Sequence, residues 1–202
     1  DEYIDIINNN GNYGNISAQE ITNNNNEFSF YVSSNVPNDY SFLILATITG
    51  SNQTWEYNLT FKAFCPVLEI VEVIVNDENN DGQVDPGDFA DIGITIYNFG
   101  GALAGQYNTQ VEISISDPYV TLNSNDIYEI YSPIEPESSE IAYFTITASE
   151  DTPVGHIVSL DFNIYVDNGI YSSNLSTSLS VGLTWEDFES GAFINLPWNS
   201  SG

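Results

Sequence analysis

The sequence predicts an all-β chain of tandem immunoglobulin-like β-sandwiches, the first only partly present. Three observations predict it. Apolar and polar residues alternate with period two in Glu27-Phe28-Ser29-Phe30-Tyr31-Val32, Ile92-Gly93-Ile94-Thr95-Ile96-Tyr97 and Val111-Glu112-Ile113-Ser114-Ile115, the signature of half-buried strands. Turn clusters punctuate these runs at Asn8-Asn9-Asn10-Gly11, Asn23 to Asn26, Asn98-Phe99-Gly100-Gly101 and Asp167-Asn168-Gly169. The chain also matches itself when Asp1 is laid on Asp117, a shift of 116 residues (117 minus 1). Asp1-Glu2-Tyr3-Ile4 then falls on Asp117-Pro118-Tyr119-Val120, Pro37 on Pro153, Tyr40 on His156 and Trp55 on Tyr171. Phe28, Phe30, Ile44 and Ile48 fall on Phe144, Ile146, Leu160 and Ile164 in the same ungapped frame. One shared offset argues for one duplicated module.

The frame divides the chain into 1–66, the C-terminal half of a first module; 67–182, a complete module; and 183–202, the start of a following domain or a tail. Pro66, directly after Cys65, marks the junction. In the first copy strands are expected near 2–7, 27–33, 40–49 and 54–64. In the complete module they are expected near 68–75, 88–98, 109–115, 118–122, 139–148, 155–166 and 170–181. About seven strands with frequent turns in a module of this length is the pattern of an immunoglobulin-like sandwich. Asp167-Asn168-Gly169 is the kind of hairpin turn that positive backbone angles demand. The half module leaves one side of its core open, to be covered by an upstream segment or by another chain adding strands.

The formal charge of −28 comes from 29 acidic residues set against a single basic one, Lys62. Base depletion, more than acid enrichment, sets the charge. Such a surface repels phosphate backbones and anionic headgroups, so nucleic acid and membrane insertion are excluded as expectations, and divalent cations or basic partners are favoured. A composition 42% hydrophobic and 13% aromatic argues for a folded chain. One cysteine precludes an internal disulfide.

One stretch has the spacing of a metal loop. Asp77-Glu78-Asn79-Asn80-Asp81-Gly82-Gln83-Val84-Asp85-Pro86-Gly87-Asp88 puts oxygen-bearing side chains at positions 1, 3, 5, 9 and 12 of a twelve-residue loop, with Gly82 at position 6, where the chain must turn sharply. Hard oxygens spaced in this way wrap one calcium ion. Asp77, Asn79, Asp81, Gln83 through its carbonyl, Asp85 and Asp88 are the candidate ligands, and Val84 is the expected anchor to the core. The spacing resembles the EF-hand loop and, with Asp at the last position, its dockerin variant. The segment after the loop departs from both, because Phe89 to Tyr97 alternates as a strand. Nothing in the loop provides a neighbouring base for catalysis, so the metal's expected role is structural.

The order of an initial strand, then this loop, then a strand ending Tyr97-Asn98-Phe99-Gly100-Gly101-Ala102 resembles bacterial CARDB-type domains. Ser116-Asp117-Pro118-Tyr119-Val120 and Asp151-Thr152-Pro153-Val154-Gly155-His156 are similar to the same immunoglobulin-like domains, found in secreted multidomain proteins of type IX secretion systems, including gingipain-type (C25) cysteine peptidases. The tail from Trp185 to Trp198 looks like the opening strand of a jelly-roll adhesion domain. The resemblance implies a non-catalytic stalk or adhesion segment of a large secreted or cell-surface protein. Its implied partners are neighbouring domains of the same polypeptide and a host or cell-surface protein or glycan.

Two other readings stay open at this level. One is an accessory C-terminal region of a gingipain-type peptidase, which a nucleophilic Cys and His pair in a domain upstream of Asp1 would establish. The other is a carbohydrate-binding module using Trp55, Tyr57, Tyr171, Trp185 and Trp198 as stacking surfaces. Cys65 and His156 do not read as a catalytic dyad, because the first copy carries Tyr40 where the second has His156, and tyrosine does not replace a general base at neutral pH. The sequons at Asn15, Asn52, Asn58, Asn174 and Asn199 are of the number that an Asn-, Ser- and Thr-rich chain produces by composition.

Overall fold

A computed structural model describes residues 1–23 and 28–182. The expected strand start at Glu27, and the tail with Trp185, Trp198 and its jelly-roll resemblance, lie outside the described residues. Every regular element within them is a β-strand. The chain divides into two compact units, one of Asp1–Pro66 with Gly100–Ala102 and the other of Val67–Phe99 with Leu103–Gly202.

The second unit is a two-sheet antiparallel sandwich. Its strands are β5 (Leu68–Asp77), β6 (Phe89–Asn98), β7 (Thr109–Ser114), β8 (Val120–Leu122), β9 (Ile127–Ile130), β10 (Ser139–Ala148), β11 (His156–Val166) and β12 (Tyr171–Val181). One sheet has the order β5-β6-β10-β8, the other β12-β11-β7-β9. Alternation decides which side chains enter the space between them. Ile92, Ile94 and Ile96 from β6 and Phe144 and Ile146 from β10 meet Val111 and Ile113 from β7 and Leu160, Phe162 and Ile164 from β11, all buried. Burial of each such side chain contributes roughly 1.5 to 3 kcal/mol. Phe144 and Phe162 touch across the sheets with ring centroids 6.2 Å apart.

β9 was not among the expected strands. It is four residues long, has Ile127 exposed, and pairs only along the edge of β7 (Thr109↔Ile130 to Glu112↔Ile127), so its alternation is too short to stand out from the Asn- and Ser-rich loop before it. Asn98, fully buried, closes the end of β6: its Oδ1 accepts from the Val67 N–H at 3.1 Å and its Nδ2 donates to the Ile134 carbonyl at 3.0 Å. A buried amide with both ends engaged avoids the desolvation cost of an orphaned polar group.

The first unit contains β1 (Ile4–Asn9), β2 (Phe28–Val32), β3 (Tyr40–Thr49) and β4 (Thr54–Ala63), paired only as β1-β2 and β3-β4. These pairs reproduce β8-β10 and β11-β12. Ile4↔Val32, Asp5↔Tyr31 and Ile6↔Phe30 are the counterparts of Val120↔Ala148, Thr121↔Thr147 and Leu122↔Ile146, each at the same offset. The backbone bond from Ser33 N–H to the Tyr3 carbonyl is repeated from Ser149 to Tyr119, both at 2.8 Å. Its own core is small, with Ile4, Val36, Phe42 and Ala63 buried.

The ungapped frame fails at the last hairpin. Tyr40 pairs with Ala63 but His156 pairs with Val181, two residues beyond 63 + 116 = 179. β11 runs one residue further than β3 before a turn in which Asp167, Asn168 and Gly169 all have positive φ, and the return strand gains one more. The counterpart of Trp55, which pairs with Ile48, is therefore Ser173, which pairs with Ile164, and not Tyr171. Ala63 corresponds to Val181 in the same way, so Cys65, which the ungapped frame lays on Val181, falls beyond the paired strand.

The duplicated phenylalanines test this packing. Phe144 is 1% exposed and Phe28 60%. Phe144→Ala should cost about 3 to 5 kcal/mol in the second unit. Phe28→Ala should cost under about 1 kcal/mol, the difference to be read by urea denaturation of the two variants.

Candidate metal site

The loop from Asp77 to Asp88 joins the adjacent strands β5 and β6. Its first half is a succession of Asx turns. Asp77 Oδ2 accepts the Asn79 N–H at 3.1 Å, Asn79 Oδ1 the Asp81 N–H at 2.9 Å, and Asp81 Oδ1 the Gln83 N–H at 2.9 Å. Asp77 Oδ1 reaches across the turn to the Gly82 N–H at 3.0 Å. Short carboxyl and amide side chains fold back on their own backbone in this way where larger ones do not. Asn80 (φ 61°) and Gly82 (φ 77°) take the left-handed conformations that tighten the turn.

The second half is tied to the sandwich. Val84 is fully buried, its carbonyl accepts the Gly182 N–H at 2.7 Å, and it forms a parallel bridge with Val181. Asp88 Oδ2 accepts the Asp85 N–H at 2.9 Å, and the Asp88 carbonyl accepts the Ala148 N–H at 2.9 Å. The loop is thus fixed at β12 and β10 as well as at its own ends.

Its electrostatics are those of crowded acid. Burial raises the Asp85 carboxyl above its ordinary range, and the negative charges of Asp81, Asp88 and Asp77 raise it further. Asp77 goes the other way: burial alone would raise it, but the N–H groups of Gly82, Asp81 and Asn79 together hold it below the usual carboxylate range. Gln83 Oε1 is buried with no hydrogen-bond partner. Among the described residues no three His, Cys, Asp or Glu side chains are gathered into a finished metal cluster. All six candidate ligands, Asp77, Asn79, Asp81, Gln83, Asp85 and Asp88, lie in one anchored turn, and the like-charge crowding of Asp85 by Asp81, Asp88 and Asp77 is what a hard cation relieves.

A second constellation lies elsewhere in the same unit. Asp117 Oδ1 accepts the N–H groups of Tyr119 (2.8 Å) and Val120 (3.1 Å), while Oδ2 lies 2.8 Å from His156 Nε2. The His156 ring stands edge-on to Tyr119, centroids 5.0 Å apart. Burial would raise the Asp117 carboxyl, but the Tyr119 N–H, His156 and the Val120 N–H outweigh it and hold it below its ordinary range. Ionised at neutral pH, Asp117 only accepts, so His156 Nε2 carries the proton. The first unit repeats the arrangement with tyrosine. Asp1 Oδ1 accepts the Tyr3 N–H at 3.0 Å, Asp1 Oδ2 accepts the Tyr40 hydroxyl at 2.9 Å, and Tyr3 and Tyr40 stand edge-on at 5.1 Å. The signal for this pair in the sequence is the repeated Asp-x-Tyr, 39 residues before a side chain able to donate.

Cys65 belongs to the first unit and His156 to the second. Burial pushes the Cys65 thiol up, the opposite of what a nucleophilic cysteine needs. Trp55 and Tyr57 lie on β4 of the first unit, whereas Tyr171 packs against the core of the second.

No protein-family model matches the chain, and no curated protein matches it. Among solved structures, a FixG-related protein from Vibrio parahaemolyticus is similar over 55% of this chain and 96% of its own, at 10% identity and a TM-score of 0.32. A likeness that distant carries no argument about either fold or function.

Asp117 yields a pH prediction with a definite sign. Its folded pKa is depressed, so its contribution is present above the unfolded value of about 3.9 and is lost as pH falls through the lower folded value. Asp117→Asn should lower the melting temperature at neutral pH by several degrees, for a loss of about 1 to 3 kcal/mol. It should also flatten the wild-type decline below about pH 4, as read from melting curves across that range.

Proposed function

We propose that the chain is a non-catalytic, calcium-stabilised immunoglobulin-like stalk or adhesion segment of a large secreted or cell-surface bacterial protein. The observation that carries the calcium part is the turn itself: side-chain oxygens of Asp77, Asn79 and Asp81 are held at alternate positions by backbone N–H groups, Asp88 accepts the Asp85 N–H, and the charges of Asp81, Asp88 and Asp77 repel the Asp85 carboxylate. Asp77, Asn79, Asp81, Gln83, Asp85 and Asp88 would hold the ion. Bound there, calcium supplies positive charge that offsets carboxylate repulsion and stiffens the connection between β5 and β6.

The secretory and adhesive part rests on the resemblance of residues 67–182 to CARDB-type domains and on the composition. With 29 acidic residues and one basic one, the chain has almost no Lys or Arg to neutralise a carboxylate cluster. A divalent cation drawn from an extracellular pool that holds it at millimolar levels does so instead. Among the described residues no helix is long and apolar enough to cross a membrane.

Calorimetric calcium titration with thermal melting of the full chain tests this reading, with Asp77→Ala/Asp81→Ala as the control. At calcium about 100 times Kd the gain is about 2.7 kcal/mol. That corresponds to a rise of roughly 5 to 10 °C in the second unit's transition, lost in the variant. No heat and no shift in the wild-type chain means that the loop is an acidic turn and the calcium reading is wrong.

Gly82→Ala probes the turn without touching a ligand. Nothing lies within 4 Å of the added methyl, so only the φ of 77° is strained. The variant should lose about 1 kcal/mol in chelator and show weaker calcium affinity in the titration.

A further inference from the structure

The inner face of the first unit is the counterpart of a face that the second unit covers. On β3 and β4, Phe42, Ile44, Ile48, Trp55, Tyr57, Leu59 and Phe61 point to one side by register; the other side carries Thr47, Glu56, Asn58, Thr60 and Lys62 together with Leu43 and Leu45. Ile48 is 55% exposed where its counterpart Ile164 is 0%, and Phe28 is open where Phe144 is buried. The face is closed at one end only, where Phe30, Phe42 and Phe61 meet with centroids 5.5 to 5.6 Å apart.

The second unit shows what covers such a face. β6 lies beside β10 through Phe144↔Ile92 and Ile146↔Ala90, and β7 lies beside β11 through Phe162↔Ile113 and Ile164↔Val111. In the first unit, among the described residues, β2 pairs only with β1 and β3 only with β4. Each therefore has an edge free at the position that β6 or β7 occupies in the complete copy.

We propose that the inner face of β1–β4 is a docking site for two antiparallel strand segments with the apolar alternation of Ala90–Ile96 and Val111–Ile113. One pairs with β2 and the other with β3, both turning β-branched side chains inward. The occupant is defined by chemistry: extended, apolar at every second position, with free backbone groups for two edges. A second copy packed face to face covers the side chains but leaves the edges of β2 and β3 unpaired. A glycan stacks on Trp55 and Tyr57, whose register neighbours on that face, Ile48, Leu59 and Phe61, are apolar, and it leaves the edges of β2 and β3 unpaired. Strand addition satisfies face and edges together.

The test joins residues 67–116 of this chain ahead of Asp1 in the full chain, so that Ser116–Asp1 repeats the natural Ser116–Asp117 step. It is run in excess chelator, which makes it independent of calcium binding. Expected are a large fall in the fluorescence of a dye that binds apolar surface and at least about tenfold slower amide exchange in β2 and β3. The same fusion carrying Ile92→Asp and Ile94→Asp in the added segment should show neither. Unchanged dye binding and exchange, both in the fusion and with the free peptide Phe89–Asn98, overturn the proposal. Two results with the unextended chain also overturn it: a dimer by sedimentation that Ile48→Asp dissociates, and glycan-array binding that Trp55→Ala abolishes.

Discussion

A carboxylate that caps its own turn and holds a ring on the opposite sheet is the contact on which both copies close. Asp117 bonds the backbone at the entry to β8 with one oxygen and reaches the first residue of β11 with the other. β8 belongs to one sheet and β11 to the other, so a single side chain sets where the two layers meet. Asp1 does the same between the entry to β1 and Tyr40 at the start of β3. Two such bonds fix an angle that non-directional apolar packing leaves free. The requirement on the partner is only a donor at the right height, which is why tyrosine and histidine exchange there.

With that corner set, the loop between β5 and β6 becomes the place where charge accumulates. A chain with so few cations has no side chain with which to balance Asp77, Asp81, Asp85 and Asp88, and its lysine is engaged by Asp39 in the first unit. Backbone N–H groups do part of that work, as the lowered pKa of Asp77 shows. They serve Asp77, Asn79, Asp81 and Asp88, and Asp85 is left with the repulsion. Backbone bonds thus leave Asp85 electrostatically unsatisfied, the condition in which a bound divalent ion would add stability.

Most of the architecture was legible because a half-buried strand writes its exposure into its sequence. Ile92, Ile94 and Ile96 could only line one face, and the all-β, sandwich-like fold follows from such runs. The repeat was legible for a related reason: Asp117, Tyr119 and His156 are tied by specific bonds, and their counterparts stay in step with them. The features that escaped are those where pairing partners, not side-chain pattern, decide. β9 is a strand only because β7 offers an edge. The two-residue lengthening of the last hairpin is invisible in an ungapped frame, since Trp55 and Tyr171 are both aromatic and both close to a turn. Of the candidate site, the spacing of oxygens and the need for Gly82 could be read directly. The unpartnered Gln83 Oε1 could not, because burial of one atom depends on the surrounding fold and not on the spacing within the loop.

The same logic separates the two units energetically. A sandwich gains stability from apolar area removed from water on both inner faces, and the cost of ordering each strand has to be recovered from that area. The second unit recovers it on both faces. In the first unit the strands are ordered by their own hairpins and by the Asp1 corner, while much of the inner face of β3 and β4 remains in water. Along β4 the alternation is strict, with Trp55, Tyr57, Leu59 and Phe61 on one side and Glu56, Asn58, Thr60 and Lys62 on the other. A surface strand exposed on both sides gains nothing from such alternation, and large apolar patches invite association. The β4 pattern suits strands that face a cover, and the edges of β2 and β3 that are unpaired among the described residues favour a cover made of strands.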